Sequence, residues 1–286
     1  MSNVACIIVN YNDSKRTLDL SKRICKYSSI NQVVVVENNS TDDSLNYLAS
    51  FGHPKYHVVK SSRNGGYGYG NNLGAKKAKE LGAKYILIAN PDVNFNDESV
   101  SHMLHVMKDH PMCAIVGARE VKLGTYAWRY TSALDDVLSA SVFLNKMLKK
   151  RYYNKEFFCG KDCVEVDIIP GSLLLVDLEK FFEVGGYDES IFLYEEEKVL
   201  YRRFCEKYVT IVDLQAEYEH HHVESHSYSV KSALVGKKRL LNSKYYFLKN
   251  YRKISPLALC ASKLFFRLTM LEMLVWILVR NIVRPK

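Results

Sequence analysis

Acidic residues are almost missing from one end of this 286-residue chain. Residues 231–286 hold one, Glu272, against thirteen Lys and Arg. The first 230 residues hold 27 basic and 30 acidic side chains, so the net charge of +9 belongs to the tail. A nucleic-acid-binding body would carry a basic face, and none is expected here. Cysteine is sparse: there are seven, with no Cys-x-x-Cys and with Cys159 and Cys163 as the nearest pair. That argues against a zinc site or a disulfide framework and for reduced thiols. No long apolar run is uninterrupted, since residues 257–283 are broken by Lys263, Arg267, Glu272 and Arg280. A spanning helix is therefore not expected. The N-terminal run Val4-Ala5-Cys6-Ile7-Ile8-Val9 has no basic region before it, and Asn10 and Asp13 follow at once. It is too short and badly flanked for a signal peptide, and it reads as a buried strand. Repeats and low-complexity segments are also missing.

What is present is alternation. Apolar, β-branched strands are predicted at 4–9, 32–37, 56–60 and 85–89, with helices at 17–27, 42–51 and 72–81 between and after them. Ser40 or Thr41 is the expected N-cap of the second helix. Continuous apolar strands between helices imply an α/β fold with a mainly parallel, Rossmann-like sheet covered on both faces. Residues 120–162 lack clear periodicity. Strands resume at 164–169, 172–176 and 209–212, with helices at 178–184 and 195–207. The tail from residue 230 reads as helical.

Ligands of such sheets sit beyond the carboxyl ends of the strands, and the unusual motifs fall there. Ser62 to Gly74 (SRNGGYGYGNNLG) holds five glycines in thirteen residues. It is not a dinucleotide fingerprint: Leu73 stands where the third glycine belongs, and the loop follows the third strand. It also lacks the Gly-Lys-Ser/Thr of a phosphate-binding P-loop. Positive φ could explain Gly65 and Gly66. The flanking Arg63-Asn64 and Asn71-Asn72 fit a polar ligand at a helix N-terminus.

The second strand ends in Glu37-Asn38-Asn39-Ser40-Thr41-Asp42-Asp43-Ser44, where carboxylate, amides and hydroxyls converge. A helix cap explains part of Ser40 to Asp43 but has no need of Glu37. The fourth strand ends in Asn90-Pro91-Asp92. Proline stops the strand, and Asp92 at the sheet edge could join a divalent cation to a diphosphate. Further on come Pro170-Gly171-Ser172 and Val184-Gly185-Gly186-Tyr187-Asp188-Glu189. Phe192-Leu193-Tyr194-Glu195-Glu196-Glu197 follows. By itself the glutamate run is an ordinary acidic first helical turn.

In this order and spacing, together with Ile8-Val9-Asn10-Tyr11-Asn12, the motifs over residues 3–230 resemble the family 2 glycosyltransferases of GT-A fold. The pattern is similar to bacterial rhamnosyltransferase-like members that build surface polysaccharides. The resemblance implies inverting transfer of a sugar, with rhamnose a candidate, from a nucleotide-diphosphate donor. Asn10, Asn12, Glu37, Asn39, Arg63, Asn64, Gly65, Gly66, Tyr67, Asn71, Asn90 and Asp92 would bind the donor. Asp92 would hold Mg²⁺ or Mn²⁺. The general base would be Glu197, with Glu196 second. Of His220-His221-His222, at most two can converge from a strand, and His222 fits a metal-side histidine best by spacing, then His220. The sequence departs from the family at Asn90, where many members have a carboxylate, at Glu37, usually Asp, and at Glu196-Glu197, usually Glu-Asp.

The expected division is a catalytic domain over 1–229 and a basic, apolar helical tail over 230–286. The tail would lie in a membrane interface or form a homodimer contact. A lipid-linked saccharide acceptor suits the first reading, and the enzyme would sit in the cytoplasm on the inner face of the cell membrane. Two other functions use the same motifs: a nucleotidyltransferase, and a non-catalytic scaffold anchored at a membrane.

Overall fold

The computed structural model describes residues 3–122, 126–148, 151–221 and 230–283. In chain order the first half runs β1 (Val4–Asn10), α1 (Ser14–Ile24), β2 (Gln32–Glu37), α2 (Ser44–Ala49) and β3 (Tyr56–Lys60). α3 (Tyr67–Glu80), β4 (Tyr85–Ala89), β5 (Val93–Phe95), α4 (Asp97–Asp109) and β6 (Cys113–Glu120) follow. The second half holds α5 (Ala133–Leu138), α6 (Val142–Met147), α7 (Lys155–Phe158), β7 (Cys163–Val166), β8 (Leu173–Asp177) and α8 (Leu178–Glu183). It closes with α9 (Glu196–Phe204), β9 (Val209–His220), α10 (Val230–Asn250) and α11 (Pro256–Val283).

The strands form one sheet in the order β3-β2-β1-β4-β8-β6-β9-β5, with β7 also paired to β9. β3, β2, β1 and β4 are parallel, as their apolar, β-branched sequences predict. Antiparallel pairing enters with β8, which lies between β4 and β6. β1 shows why both faces are covered. Val4, Cys6 and Ile8 point into one core with Leu18, Ile24, Val100 and Met103 of α1 and α4. Ala5 and Ile7 point into a second core with Ala75, Ala78, Phe181 and Phe204 of α3, α8 and α9. Each such side chain, removed from water, contributes roughly 1.5–3 kcal/mol.

Three expectations change. The glycine run is not all loop, because α3 begins at Tyr67 and takes Gly68, Gly70 and Gly74 into itself. A Cβ on Gly74 would stand 2.4 Å from Ile7 Cγ2, so its bare backbone lets α3 lie close on β1. Ser40 and Thr41 do not cap α2; Asp43 occupies that position, and the two hydroxyls turn toward Asn10 and Asn12. β9 continues to His220, well past the predicted end at 212, because a bulge between Asp213 and Glu217 keeps it paired with β6. α4 and β6 had no sequence assignment. α5, α6 and α7 lie in the stretch without periodicity, too short to show one.

α10 and α11 pack against α5 through Leu241, Leu248, Phe266 and Ala140. Among the described residues, no helix is long and apolar enough to cross a membrane.

Candidate active site

The carboxyl ends of the parallel strands form one rim. In β1 and β2 the register sets Asn10 beside Glu37. Glu37 is buried and its Oε1 accepts from Ser40 N at 2.7 Å. Asn10 Nδ2 donates to Ser40 Oγ at 3.2 Å, and its Oδ1 accepts from Thr17 at 2.9 Å. Asn12, at φ 54°, receives Thr41 N at 2.9 Å. Asn39, at φ 57°, is exposed beside them. These groups form a polar floor at the β1–β2 end.

The glycine loop is the next wall. Asn64 Oδ1 accepts from Gly66 N at 3.1 Å and from Asn38 Nδ2 at 3.2 Å, closing a tight turn. Arg63 is exposed, with its guanidinium 4.7 Å from the Tyr69 ring centre. Gly66 has φ 89°, and a Cβ there would lie 2.0 Å from Phe192 O. Tyr67 N donates to that same carbonyl at 3.1 Å. The loop is thus latched onto the segment that precedes the three glutamates. Gly66→Ala is expected to cost roughly 3 kcal/mol or more, from strain plus the clash. Urea unfolding would read the loss, and donor-dependent stabilisation should fall with it.

Asn71 and Asn72 serve the protein itself. Asn71 Nδ2 donates to Tyr67 O at 3.0 Å, whereas its Oδ1 is buried with no partner. Asn72 bonds the backbone of Tyr187 in both directions, at 3.0 Å each, and reaches Glu189. The Gly-Gly-Tyr-Asp-Glu motif is therefore held by α3. Its Asp188 accepts hydrogen bonds from Tyr246 and Tyr251, at 3.0 and 2.6 Å.

Past Tyr67 opens a cavity of about 620 Å³. Asn90, Ser172 and His220 line it together with Glu195, Glu196, Glu197 and Lys198. Trp128, Arg151 and Tyr152 complete the wall from the aperiodic middle stretch. These three were missed by sequence reasoning. Their only signal was a rare tryptophan, as the chain has two. Of the predicted donor residues Tyr67 and Asn90 line this cavity; Asn10, Asn12, Glu37, Asn39, Arg63, Asn64, Gly65, Gly66, Asn71 and Asp92 do not.

Glu197 Oε1 accepts from Gly171 N at 3.3 Å, and Tyr67 donates to Gly171 O at 2.6 Å. Proximity of Pro170-Gly171-Ser172 to the glutamates is thus a tertiary fact. Glu196 is buried, and its Oε1 has no partner. Burial, then repulsion from Glu197, pushes the Glu196 carboxyl up to about 8. Burial also raises Glu197, against the two backbone N–H groups that favour its anion. Burial likewise disfavours charge on Glu195, but Lys198 and Lys244 reverse this and hold it down to about 2. Three neighbouring carboxyls thus separate into one fixed anion and two that titrate high.

Asp92 follows Pro91 with its Oδ1 3.1 Å from His220 Nε2. Burial pushes its carboxyl up, and the bond and charge of His220, with its own backbone N–H and Arg16, more than offset this, so it titrates below the usual range. The histidine beside Asp92 is thus His220, second by spacing; His222 lies outside the described residues. Among the described residues, no group of three or more His, Cys, Asp or Glu is placed to hold a metal ion. One carboxylate with an imidazole beside it does not close a protein cage. It does fit a cation that takes most of its shell from water and phosphate oxygens.

The sequence profile described as Glycosyl transferase family 2 matches residues 5–165. A low-salt glycan biosynthesis hexosyltransferase of Haloferax volcanii is 26% identical over 198 residues, covering 69% of this chain and 60% of that protein. Among solved structures, GalNAc-T7 with UDP, GalNAc and Mn²⁺ aligns at TM-score 0.66 and 15% identity. That alignment covers 87% of this chain and 48% of the other. A Pyrobaculum calidifontis mannosyltransferase with GDP-Man and Mn²⁺ aligns at TM-score 0.61 and 13% identity, over 99% and 76% of the two chains. S. aureus TarS with UDP aligns at 0.54 and 13%, over 88% and 73%. This chain thus spans about 60% of the hexosyltransferase and about half of GalNAc-T7. At these identities the solved structures establish the GT-A fold.

Proposed function

This chain belongs to glycosyl transferase family 2, and from that premise we propose that it moves a hexosyl group, with rhamnose a candidate, from a nucleotide-diphosphate donor to a saccharide hydroxyl with inversion. The observation that carries the reading is one cavity lined by two high-titrating glutamates together with Asn90 and His220. A hydroxyl is a poor nucleophile, and a carboxylate within hydrogen-bond reach removes its proton as it attacks. The bond from acceptor oxygen to the anomeric carbon forms as the bond from that carbon to the phosphate oxygen breaks. The proton goes to Glu197 and the electron pair leaves with the nucleoside diphosphate. Glu197 is preferred to Glu196 because Gly171 N–H orients its carboxylate, whereas Glu196 Oε1 has nothing to orient it. Asn10, Glu37 and the 63–67 loop would hold the nucleotide end.

Asp92, with His220 beside it, would hold Mg²⁺ or Mn²⁺, which when bound supplies positive charge to the diphosphate. The Mn²⁺ in GalNAc-T7 and in the mannosyltransferase supports this. The test is a panel of UDP-, dTDP- and GDP-sugars with candidate acceptors and Mn²⁺. Release of the nucleoside diphosphate with an inverted product is expected. Release of pyrophosphate would mark the nucleotidyltransferase alternative, and no turnover with any donor would favour a scaffold.

The acceptor is proposed to be lipid-linked and the protein to sit on the inner membrane surface through its tail. On the outer face of α11, Leu257, Leu264, Leu268, Leu271, Val275 and Val279 recur every three or four residues and are exposed. Exposed Lys263 and Arg267 interrupt that face. An apolar stripe in a segment with thirteen basic side chains and one acid fits an anionic bilayer surface. Each basic residue near it contributes on the order of 1 kcal/mol. Sedimentation with phosphatidylglycerol vesicles is expected at low salt. It should weaken at high salt and be lost in a Leu264→Glu, Leu268→Glu, Leu271→Glu variant. A salt-independent dimer without vesicle binding would instead assign the stripe to a second copy.

A further inference from the structure

Tyr194 and Glu195 are consecutive non-glycine residues with left-handed backbone, at φ 74° and 69°. Each such residue is strained and persists only where its surroundings impose it. This corner is where the chain enters α9, and Glu195 is the N-cap of that helix. The side chain of Glu195 does not cap. It turns instead into a buried cluster of charges, with Oε1 2.8 Å from Lys244 Nζ and Oε2 2.8 Å from Lys198 Nζ. Lys198 also reaches Asp136 at 2.7 Å, and Arg252 closes on the other Asp136 oxygen at 2.7 Å. Lys244 donates as well to Ser139 Oγ at 2.9 Å.

Three elements meet in this cluster: α9 with Lys198, α5 with Asp136, and α10 with Lys244. α10 touches the same segment elsewhere. Ser243 Oγ donates to Leu193 O at 2.7 Å, and Tyr246 donates to Asp188. One helix therefore supports the segment 188–195, from the Gly-Gly-Tyr-Asp-Glu motif to the corner before the paired glutamates. Nothing in the transfer chemistry calls for a buried lysine on α10. A lysine there forfeits hydration, so its burial opposite Glu195 needs another reason.

We propose that Lys244 is a positioning residue for glycosyl transfer: its ammonium clamps Glu195, fixes the left-handed corner at 194–195, and so holds Glu196 and Glu197 at the cavity wall. The proposal rests on the transfer reading of that cavity. It extends the reading to α10, outside the 5–165 match to the family. Lys244 acts through Glu195 and touches no reacting group.

The charged and titratable groups around the glutamate pair are Glu195, Lys198, Lys244, Asp136 and Arg252, with Tyr67 and Tyr187 behind. Asp167 and Tyr201 lie beside Glu197, and Glu120, Arg151, Tyr152, Tyr194, Tyr218 and His220 stand in the cavity wall. Glu195 opposes ionisation of both glutamates, Lys198 favours that of Glu197, and Lys244 neutralises Glu195 across 2.8 Å. Lys244→Gln and Glu195→Gln should therefore move the acidic limb of the kcat/KM–pH profile in opposite directions. Lys244→Gln is expected to move it up by about one unit, near tenfold in rate on that limb. Its plateau kcat should fall about tenfold with donor KM unchanged, and Lys244→Arg should restore most of it. Glu195→Gln should move the limb down. Tyr251→Phe loosens the same helix without altering charge at the corner, and it should lower Tm and leave the profile in place.

Carboxyl titration by NMR of ¹³C-glutamate protein reads the same opposed shifts without turnover. If the parent protein transfers no sugar, the functional reading fails, and the NMR shifts alone still decide the clamp. Equal movement in all three variants, or lower Tm with an unmoved profile and unmoved carboxyl titration, would overturn the proposal. Should one variant not fold, the direction of the other decides.

Discussion

Glu197→Gln is expected to lower the transfer rate about a thousandfold while donor binding survives. General-base help at one proton is worth 10²–10⁴-fold, and the amide keeps the shape but cannot take the proton. It can still accept from Gly171 N, so the wall should stay in place. The measurement is kcat beside the Tm rise given by the best donor, since ligand that binds only the native state raises Tm. A lost kcat with a preserved Tm rise assigns Glu197 to proton transfer. Retention of a tenth or more of the rate would move the base to Glu196. Loss of both quantities would make Glu197 a donor-binding group.

Glu196→Gln should stabilise the protein, and more so as the pH rises. The folded carboxyl titrates near 8 because it is buried beside other carboxyls, whereas an unfolded glutamate titrates near ~4.3. Between those values the native state holds a proton that the unfolded state has released. Stability from this group is therefore full at low pH and falls as pH rises toward 8. Glutamine carries no such penalty. The gain at pH 9 should be about 5 kcal/mol, roughly 10 °C or more in Tm, and near zero at pH 4. Thermal melts of parent and variant across that range give the difference directly. A gain that does not change with pH would mean that Glu196 ionises freely in the native state.

By itself the sequence determined the parallel half of the sheet and the order of the motifs. Strands such as Gln32–Glu37 are apolar on both faces, so their burial is written in the residues. Pro91 marks where β4 must stop. The boundaries were less legible: α3 starts five residues before its predicted start because Gly68 and Gly70 read as loop until the close approach of Gly68 to Tyr187 and of Gly70 to Val9 is seen. The antiparallel insertion of β8 between β4 and β6 is a long-range pairing that leaves no local pattern.

Tertiary structure alone decided who touches whom. It set Gly171 against Glu197, His220 against Asp92 and Phe192 against Gly66. It drew Trp128, Arg151 and Tyr152 from an aperiodic stretch into the cavity wall. It also separated three adjacent glutamates into different ionisation states. Glu195 turned toward two lysines, one of them 49 positions away on α10, and Glu196 was buried with its Oε1 left without a partner. The physical reason is that composition and period act along the chain, whereas desolvation and charge pairing depend on distance in space.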